Sequence, residues 1–247
     1  MSSPLAFRAF EKGDEAAVLG LFETVFGTPL DPALWRWRFA RNEAEPVLAE
    51  LAWDGDSLVG HYAVSPVIMR DGWRDRTTAL SLSTMTHPGY RGRGVFPALA
   101  KRLYARLEAE GFDAVWGFPN HRSHRVFIGE LGWSDIGEIG MLSLDGGPQK
   151  GAGTRDPHIE RITSVGVEFD RLLESCRGDA LRIRKDAGHV RWRFAECPRE
   201  YELLGYFAAD RLIGFAAWKM FGVAADLCDV LSVDPGTSAA LVRDVSM

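Results

Sequence analysis

Hydrophobic positions along the chain switch between a helical and a two-residue rhythm, and the switches lay out its elements. Leu5 to Phe10 reads as a short strand, closed by the turn Lys12-Gly13-Asp14 with Asp14 as cap of a following helix. Ala17, Val18, Leu21, Phe22 and Val25 form that helix's stripe, which ends near Gly27 and Pro29. Asp31-Pro32 starts a second helix carrying Leu34, Trp35, Trp37 and Phe39. Val47 to Trp53 and Leu58 to Met69 predict two strands joined by the hairpin turn Asp54-Gly55-Asp56-Ser57. Asp71-Gly72 makes a second tight turn, and Arg76 to Thr86 a third strand.

The rhythm then changes at Thr86 to Leu107, THPGYRGRGVFPALAKRLYARL. Val95, Leu99, Leu103 and Leu107 recur every four residues and predict a helix, with Pro97 tolerated in its first turn. Just before it stands Arg91-Gly92-Arg93-Gly94, so a Gly-rich basic loop meets the positive end of a helix, where backbone N–H groups lack intrahelical acceptors. Taken alone, the loop fits either an anion site or an ordinary glycine turn before a surface helix. Gly111 stops the helix, Phe112 to Phe118 predicts a buried strand ended by Pro119-Asn120, and His121 to Leu131 a short helix closed by Gly132. Ile136 to Leu144 supplies one or two last strands. The order is β-α-α-β-β-β-α-β-α-β, an α/β fold with a mixed sheet and helices on both faces.

Asp145 to Pro157 is Gly- and Pro-rich without apolar anchors. It divides the chain into residues 1–145, a linker at 146–157, and residues 158–247. Beyond it the pattern restarts. His158 to Val165 resembles the first strand and Phe169 to Cys176 the first helix. VRWRFA at 190–195 repeats WRWRFA at 35–40, and Arg211 to Phe215 repeats Ser57 to His61. Trp37 and Trp192 lie 155 residues apart and Gly60 and Gly214 154 apart, the offset expected of an internal duplication. Tryptophans at matched repeat positions (Trp35, Trp37, Trp192) read as core. The second copy has Asp234-Pro235-Gly236 where the first has His87-Pro88-Gly89, no Arg-Gly-x-Gly follows, and the sequence ends before the unit is complete. Its open strand edges need cover, from the first copy or from another subunit in a homodimer.

Charge sharpens the loop's role. Between Arg76 and Leu107 there is no Asp or Glu, yet Arg76, Arg91, Arg93, Lys101, Arg102 and Arg106 are present, in a chain of net charge −5. A nucleic-acid binder would be basic overall, so a compact polyanion such as a cofactor phosphate fits better. Composition is that of a soluble globular protein, 46% hydrophobic and 26% charged. No apolar run is long enough for a membrane span, no secretory signal is evident, and Cys176, Cys197 and Cys228 are isolated, without a metal or disulfide pattern. The expectation is a reduced cytoplasmic protein that engages neither membrane nor nucleic acid.

With strand, HPGYRGRGVF, helix, strand, Pro119-Asn120 and second helix in order, the chain resembles the GNAT superfamily of acyl-CoA N-acyltransferases. Arg91, Gly94 and Pro88 match the family's Arg/Gln-x-x-Gly-x-Gly/Ala motif, with Phe96 departing at the last position. Asn120, Ser123, Phe127 and Leu131-Gly132-Trp133 match the later signature, one residue longer. The likeness covers residues 5 to 144, and the whole resembles tandem members with a degenerate second half.

The resemblance implies acetyl-CoA, or another acyl-CoA, as co-substrate and no metal. Backbone amides of Arg91, Gly92, Arg93, Gly94, Val95 and Phe96 would hold the pyrophosphate, with charge from Arg91 and Arg93. The backbone of Thr84, Met85 and Thr86 would pair with pantetheine and polarise the thioester carbonyl. Asn120 and Ser123 would meet the far end of pantetheine, and Phe127 would pack near the thiol. Many relatives carry a Glu on the strand before the loop and a Tyr at the position of Phe127; this chain has neither. The proton acceptor is therefore unassigned, with His61 and Tyr62 as weak candidates and His87, His121 and His124 weaker still.

The expected reaction is transfer of an acetyl group to a primary amine of a small molecule, an amino sugar among the candidates. A non-catalytic acyl-CoA-binding or scaffold protein is the alternative. An aminoacyl-tRNA-dependent transferase is a third, remoter reading that the net charge disfavours.

Overall fold

The computed structural model describes residues 4–41, 46–140, 143, 156–176, 178 and 180–245. They form two compact units, Met1–Met69 with Arg74–Glu138, and Arg70–Trp73 with Ile139–Met247.

The first unit runs β1 (Ala6–Ala9), α1 (Glu15–Phe26), α2 (Pro32–Phe39), β2 (Ala49–Asp54), β3 (Ser57–Asp71), β4 (Arg74–Thr86), α3 (Val95–Ala109), β5 (Ala114–Trp116) and α4 (His121–Glu130). The strands lie in that order across one sheet, with β1, β2 and β3 antiparallel neighbours and β5 parallel to β4. The two-residue alternation of the strands sorts the core onto two faces. Leu48, Ala52, Tyr62, Val64 and Ala79 pack on α3 and on Phe127 of α4. Ala49, Leu51, Ala63 and Met85 pack on α1 and α2. The predicted stripe of α3 is fully used, since Val95, Leu99, Leu103 and Leu107 are all buried. Each contributes about 1.5–3 kcal/mol of apolar burial.

Asp14 precedes α1 as expected, but its carboxylate does not cap the helix. It is taken by a bidentate pair with Arg8, at 2.6 and 2.8 Å, and by the Glu11 amide at 2.7 Å. The strand expected at 112–118 shortens to Ala114–Trp116, because its pairing with β4 stops at Leu80–Trp116. Residues 136–140 and 143 form no strand, and the rest of the strand expected at 136–144 lies outside the described residues. So does nearly all of the linker expected at 146–157. Trp35 is core, whereas Trp37 and Trp192 are only half-buried.

The second unit runs β6 (Ile159–Arg161), α5 (Glu168–Ser175), β7 (Arg182–Ile183), α6 (Ala187–Val190), a π-helical turn Arg191–Ala195, β8 (Glu202–Ala208), β9 (Arg211–Phe221), β10 (Ala224–Ser232) and α7 (Pro235–Val245). Its sheet is antiparallel in the order β10-β9-β8-β6. Three local features recur in both units. The β2–β3 pairing shifts register between Ala52 and Trp53, and the β8–β9 pairing between Tyr206 and Phe207. Opposite each shift stands a glycine against a helix. A Cβ on Gly60 would lie 2.5 Å from Val95 of α3, and one on Gly214 would lie 2.7 Å from Thr237 of α7. Irregular backbone interrupts the following strand in each unit, at Ser83 with φ 53° in β4 and between Leu227 and Asp229 in β10.

Candidate functional site

The site is built where β4 and β5 part. Beyond Leu80–Trp116 the two strands cease to pair, and a cleft of about 750 Å³ opens between Ser81 to Thr86 on one side and Gly117 to Asn120 on the other. Leu82 and Met85, three residues apart, pack on the same face of the sheet, which a regular strand forbids. Ser83 is the extra residue: its φ of 53° absorbs one position and turns the backbone of β4 locally out of register.

At one end of the cleft the chain passes through a 3-10 turn, Pro88–Tyr90, to the basic loop. His87 Nδ1 accepts from the Gly89 amide at 3.2 Å, which fixes the turn. Gly92 and Gly94 have φ of 74° and 72°, conformations open to glycine and strained for other residues. Gly94 is the N-cap of α3 and offers no side chain to its first amides. Those amides and the positive end of the helix therefore remain available to an anion. Arg91 Nε donates to the Thr86 carbonyl at 3.3 Å, and the Arg93 guanidinium lies 4.9 Å over the Tyr90 ring. Tyr90 donates to Asp54 at 2.5 Å, which raises its pKa.

The expected basic zone is narrower than the sequence suggests. Glu50, buried on β2, receives Arg102 at 3.0 Å and Arg106 at 3.9 Å, and Asp113 receives Arg76 at 3.3 Å. These arginines tie α3 and β4 to their neighbours, leaving the loop arginines and Arg122 as the cations at the cleft.

On the opposite wall α4 presents one face: Ser123, Val126, Phe127 and Glu130 line the cleft, at helical spacing. Asn120 Oδ1 caps α4, accepting from the Arg122 and Ser123 amides at 3.0 and 3.1 Å. Phe127 is buried against Phe96, Tyr62 and Trp133. Val25 and Phe26, at the C-terminal end of α1, supply an apolar wall that the sequence did not single out.

Of the residues expected to bind cofactor, Thr84, Thr86, Arg91, Gly92, Gly94, Val95, Phe96, Asn120, Ser123 and Phe127 line this cleft together. Arg93 and Met85 do not; Met85 is 1% exposed and points into the core between β4 and α1. His61 and Tyr62 are also misplaced for proton transfer. Both are buried and neither lines the cleft. Burial holds the His61 pKa down at about 4 and pushes the Tyr62 hydroxyl up. Neighbouring strand position was the reason to consider them, and the same position encloses them. His124 is held by Asp135 at 2.8 Å, and neither His121 nor His124 lines the cleft. The sequence missed Ser81, Gly117, Glu130 and Trp133. Only Glu130 carried a signal, its spacing from Ser123 and Phe127 along α4. Among the described residues no group of three His, Cys, Asp or Glu side chains is placed to hold a metal ion.

A forked parallel pair, a kinked fourth strand and an uncapped glycine turn at a helix start form one combination, and it coincides with a family. The acetyltransferase (GNAT) domain model matches residues 6–136. The chain belongs to the GNAT acetyltransferase family. Its fold is shared with a GCN5-related N-acetyltransferase from Kribbella flavida, at TM-score 0.69 and 18% identity over 99% of this chain and 61% of that one. It is shared as well with a conserved protein of unknown function from Enterococcus faecalis V583, described as a probable N-acyltransferase, at TM-score 0.67 and 10% identity over 99% of this chain and 62% of the other. The chain thus spans about three fifths of the length of both, and at these identities the likeness is one of fold. No curated protein matches the sequence. GNAT membership makes the chain an acyltransferase. Among the described residues no helix is long and apolar enough to cross a membrane.

Proposed function

We propose that this GNAT domain transfers an acyl group, acetyl in the first instance, from acyl-CoA to a primary amine of a small molecule, with an amino sugar among the candidate acceptors. One observation carries the reading: the open helix start at Gly94, the unpaired stretch of β4 and the inner face of α4 all line a single cleft. The residues fit the co-substrate. No atom lies within 4 Å of a Cβ built on Gly92 or Gly94, so the loop leaves room for a pyrophosphate against its amides. Arg91 and Arg93 add charge beside it, each charge-assisted hydrogen bond being worth about 1.5–3 kcal/mol. Thr84 and Thr86 offer backbone to the pantetheine, and Asn120 and Ser123 face it from α4.

The bound thioester supplies an activated acyl carbon and a thiol leaving group. The protein's part is to orient it against the acceptor, which enters beside Val25 and Phe26. An alkylammonium, with pKa about 10.4, must lose a proton before it attacks. Glu130 is the carboxylate on the cleft wall, one turn past Phe127. If it accepts that proton, Glu130→Gln lowers turnover and leaves CoA affinity unchanged. If water in the open cleft does so, turnover is unchanged as well.

The deciding experiment is acetyl-CoA turnover against an amine panel, with Gly94→Glu as the variant that should lose CoA affinity. A glutamate variant retaining full affinity would overturn the loop assignment. The second reading, a non-catalytic acyl-CoA binder, is favoured by buried Phe127, which cannot donate a proton, and by the enclosure of His61 and Tyr62. It requires CoA binding without turnover of any amine.

We further infer that residues 158–247 are a degenerate copy of the first unit, joined to residues 1–145 by a linker. The repeated register shift, the repeated glycine against a helix and the interrupted strand support this. In the second unit Asp234 caps the helix that corresponds to α3. Its carboxylate accepts from the Gly236 and Thr237 amides at 2.8 and 3.0 Å and from the Thr237 hydroxyl at 2.7 Å. The anion position is filled by the protein's own side chain, so one CoA per chain is expected.

A further inference from the structure

Behind the cleft wall runs a chain of hydrogen bonds that begins and ends at the cleft. Trp133 Nε1 donates to the Tyr104 hydroxyl at 2.9 Å. The Tyr104 and Tyr62 hydroxyls are 2.9 Å apart. Tyr62 in turn hydrogen-bonds the side chain of Ser81. Trp133 and Ser81, the two ends, both line the cleft. They meet at the fork between β4 and β5: a Cβ on Gly117 would lie 3.3 Å from Ser81 Cβ and 3.4 Å from the Trp133 ring.

Counting protons orients the chain. An indole N–H can only donate, so the Tyr104 oxygen is an acceptor at that link. Three links join one N–H and three O–H groups, which leaves one proton over. If Ser81 donated inward, the surplus proton would sit on a tyrosine. Tyr62 is 0% exposed and Tyr104 packs against the same core, and an unmatched donor there is unfavourable. Running head to tail, Trp133 to Tyr104 to Tyr62 to Ser81, every interior proton finds an acceptor. The remaining one is the Ser81 hydroxyl proton, at the cleft. A chain of aligned hydroxyls also polarises its last donor.

We propose that Ser81 is a hydrogen-bond donor to the carbonyl oxygen of the bound acyl thioester, and that Tyr62, Tyr104 and Trp133 are positioning residues that turn its proton outward. The inference rests on the acyl-CoA reading of the cleft and adds a side-chain donor to the backbone of β4. Its placement follows from the layout. With phosphates at the Gly92–Gly94 turn and the chain laid back along β4 past Thr86 and Thr84, the acyl end arrives at the fork, where Ser81 and Gly117 stand. The fork is narrow because position 117 has no side chain. The hydroxyl moves no proton to the substrate: the chain ends in an indole N–H, which cannot be replenished, so the role is hydrogen bonding alone.

The test combines calorimetry with infrared difference spectroscopy of acetyl-CoA labelled with carbon-13 at the carbonyl, on wild type, Ser81→Ala and Tyr62→Phe. Ser81→Ala is expected to weaken acetyl-CoA about three- to tenfold, leave CoA affinity unchanged, and move the bound carbonyl stretch to higher frequency. Tyr62→Phe leaves Ser81 in place and should shift the stretch part of the way, which mere loss of packing would not do. An identical stretch in wild type and Ser81→Ala overturns the proposal, as does an equal loss of CoA and acetyl-CoA affinity. Wild-type protein that binds neither ligand overturns the acyl-CoA reading itself. CoA binding by each variant reports its folding within the same experiment.

Discussion

His61 Nδ1 lies 2.9 Å from the carbonyl oxygen of Ser83, the residue that kinks β4. A carbonyl only accepts, so Nδ1 carries the proton and Nε2 is left as a bare buried acceptor without a partner. The side chain expected to move protons is instead a neutral strut beneath the kink. Its pKa, held at about 4 by burial, makes the strut sensitive to acid. Unfolded, the imidazole titrates at about 6.5. Between these values the unfolded chain binds a proton that the folded chain excludes, so stability falls as pH drops through that window and is indifferent to His61 above it. At full extent the loss is about 3 kcal/mol. Asp14, held low by Arg8, titrates below the window. Urea unfolding at about pH 7 and about pH 4.5 checks the slope, which His61→Phe should remove. A variant with the wild-type slope sinks the assignment.

Gly60 and Gly214 predict a matched pair of stability losses. A Cβ at 60 would meet Val95 at 2.5 Å and Leu99 at 3.0 Å, and one at 214 would meet Thr237 at 2.7 Å and Ser232 at 2.9 Å. Neither glycine has positive φ, so steric crowding is the whole cause. Each Gly→Ala change should destabilise by about 1–3 kcal/mol, the range for overpacking. Because the glycines sit in different units, the double variant should sum the two within about 0.5 kcal/mol. Thermal unfolding of the three variants measures this, and strong non-additivity would contradict two separate cores.

Asp234 offers a separate check on the number of cofactor sites. Its pKa is lowered mainly by the Thr237 hydroxyl, with help from the Thr237 and Gly236 amides. Asp234→Ala removes a helix cap and should lower stability by about 1 kcal/mol. CoA titration should give one equivalent per chain in wild type. A second equivalent in wild type would show that the cap does not exclude the ligand.

Much of this fold was legible in the sequence because its elements are locally specified. The α3 stripe, the Asp31-Pro32 start and the Asp54 to Ser57 hairpin each carry their signal within a few residues, and the structure has all three. The anion loop was legible for the same reason: two glycines and a helix start are adjacent in sequence. What stayed hidden depends on partners far along the chain. Arg102 and Arg106 read as part of a basic patch until Glu50, on another strand, is seen to receive them. His61 and Tyr62 read as candidates for chemistry until both faces of β3 are seen to be covered. Ser81 carried no signal at all, since its orientation depends on a tyrosine, a second tyrosine and a tryptophan from three other segments.

Gly117 gives the sharpest separation between the two ends of the cleft. It stands on the β5 side of the fork, and its missing side chain keeps that gap open. A Cβ there would lie 3.3 Å from both Ser81 Cβ and the Ser81 carbonyl oxygen and 3.4 Å from the Trp133 ring. Those distances are tight but not prohibitive, so Gly117→Ala should fold with a loss of about 1 kcal/mol or slightly more. Gly117→Val pushes two further methyl groups into the same gap. The basic loop is untouched in both, so a CoA fragment carrying the phosphates but no pantetheine should bind as in wild type. Acetyl-CoA affinity should fall in the order glycine, alanine, valine, by about tenfold for the last step, equivalent to about 1.4 kcal/mol. Calorimetry with both ligands makes the comparison. Equal losses for the fragment and for acetyl-CoA would place the acyl end elsewhere than the fork.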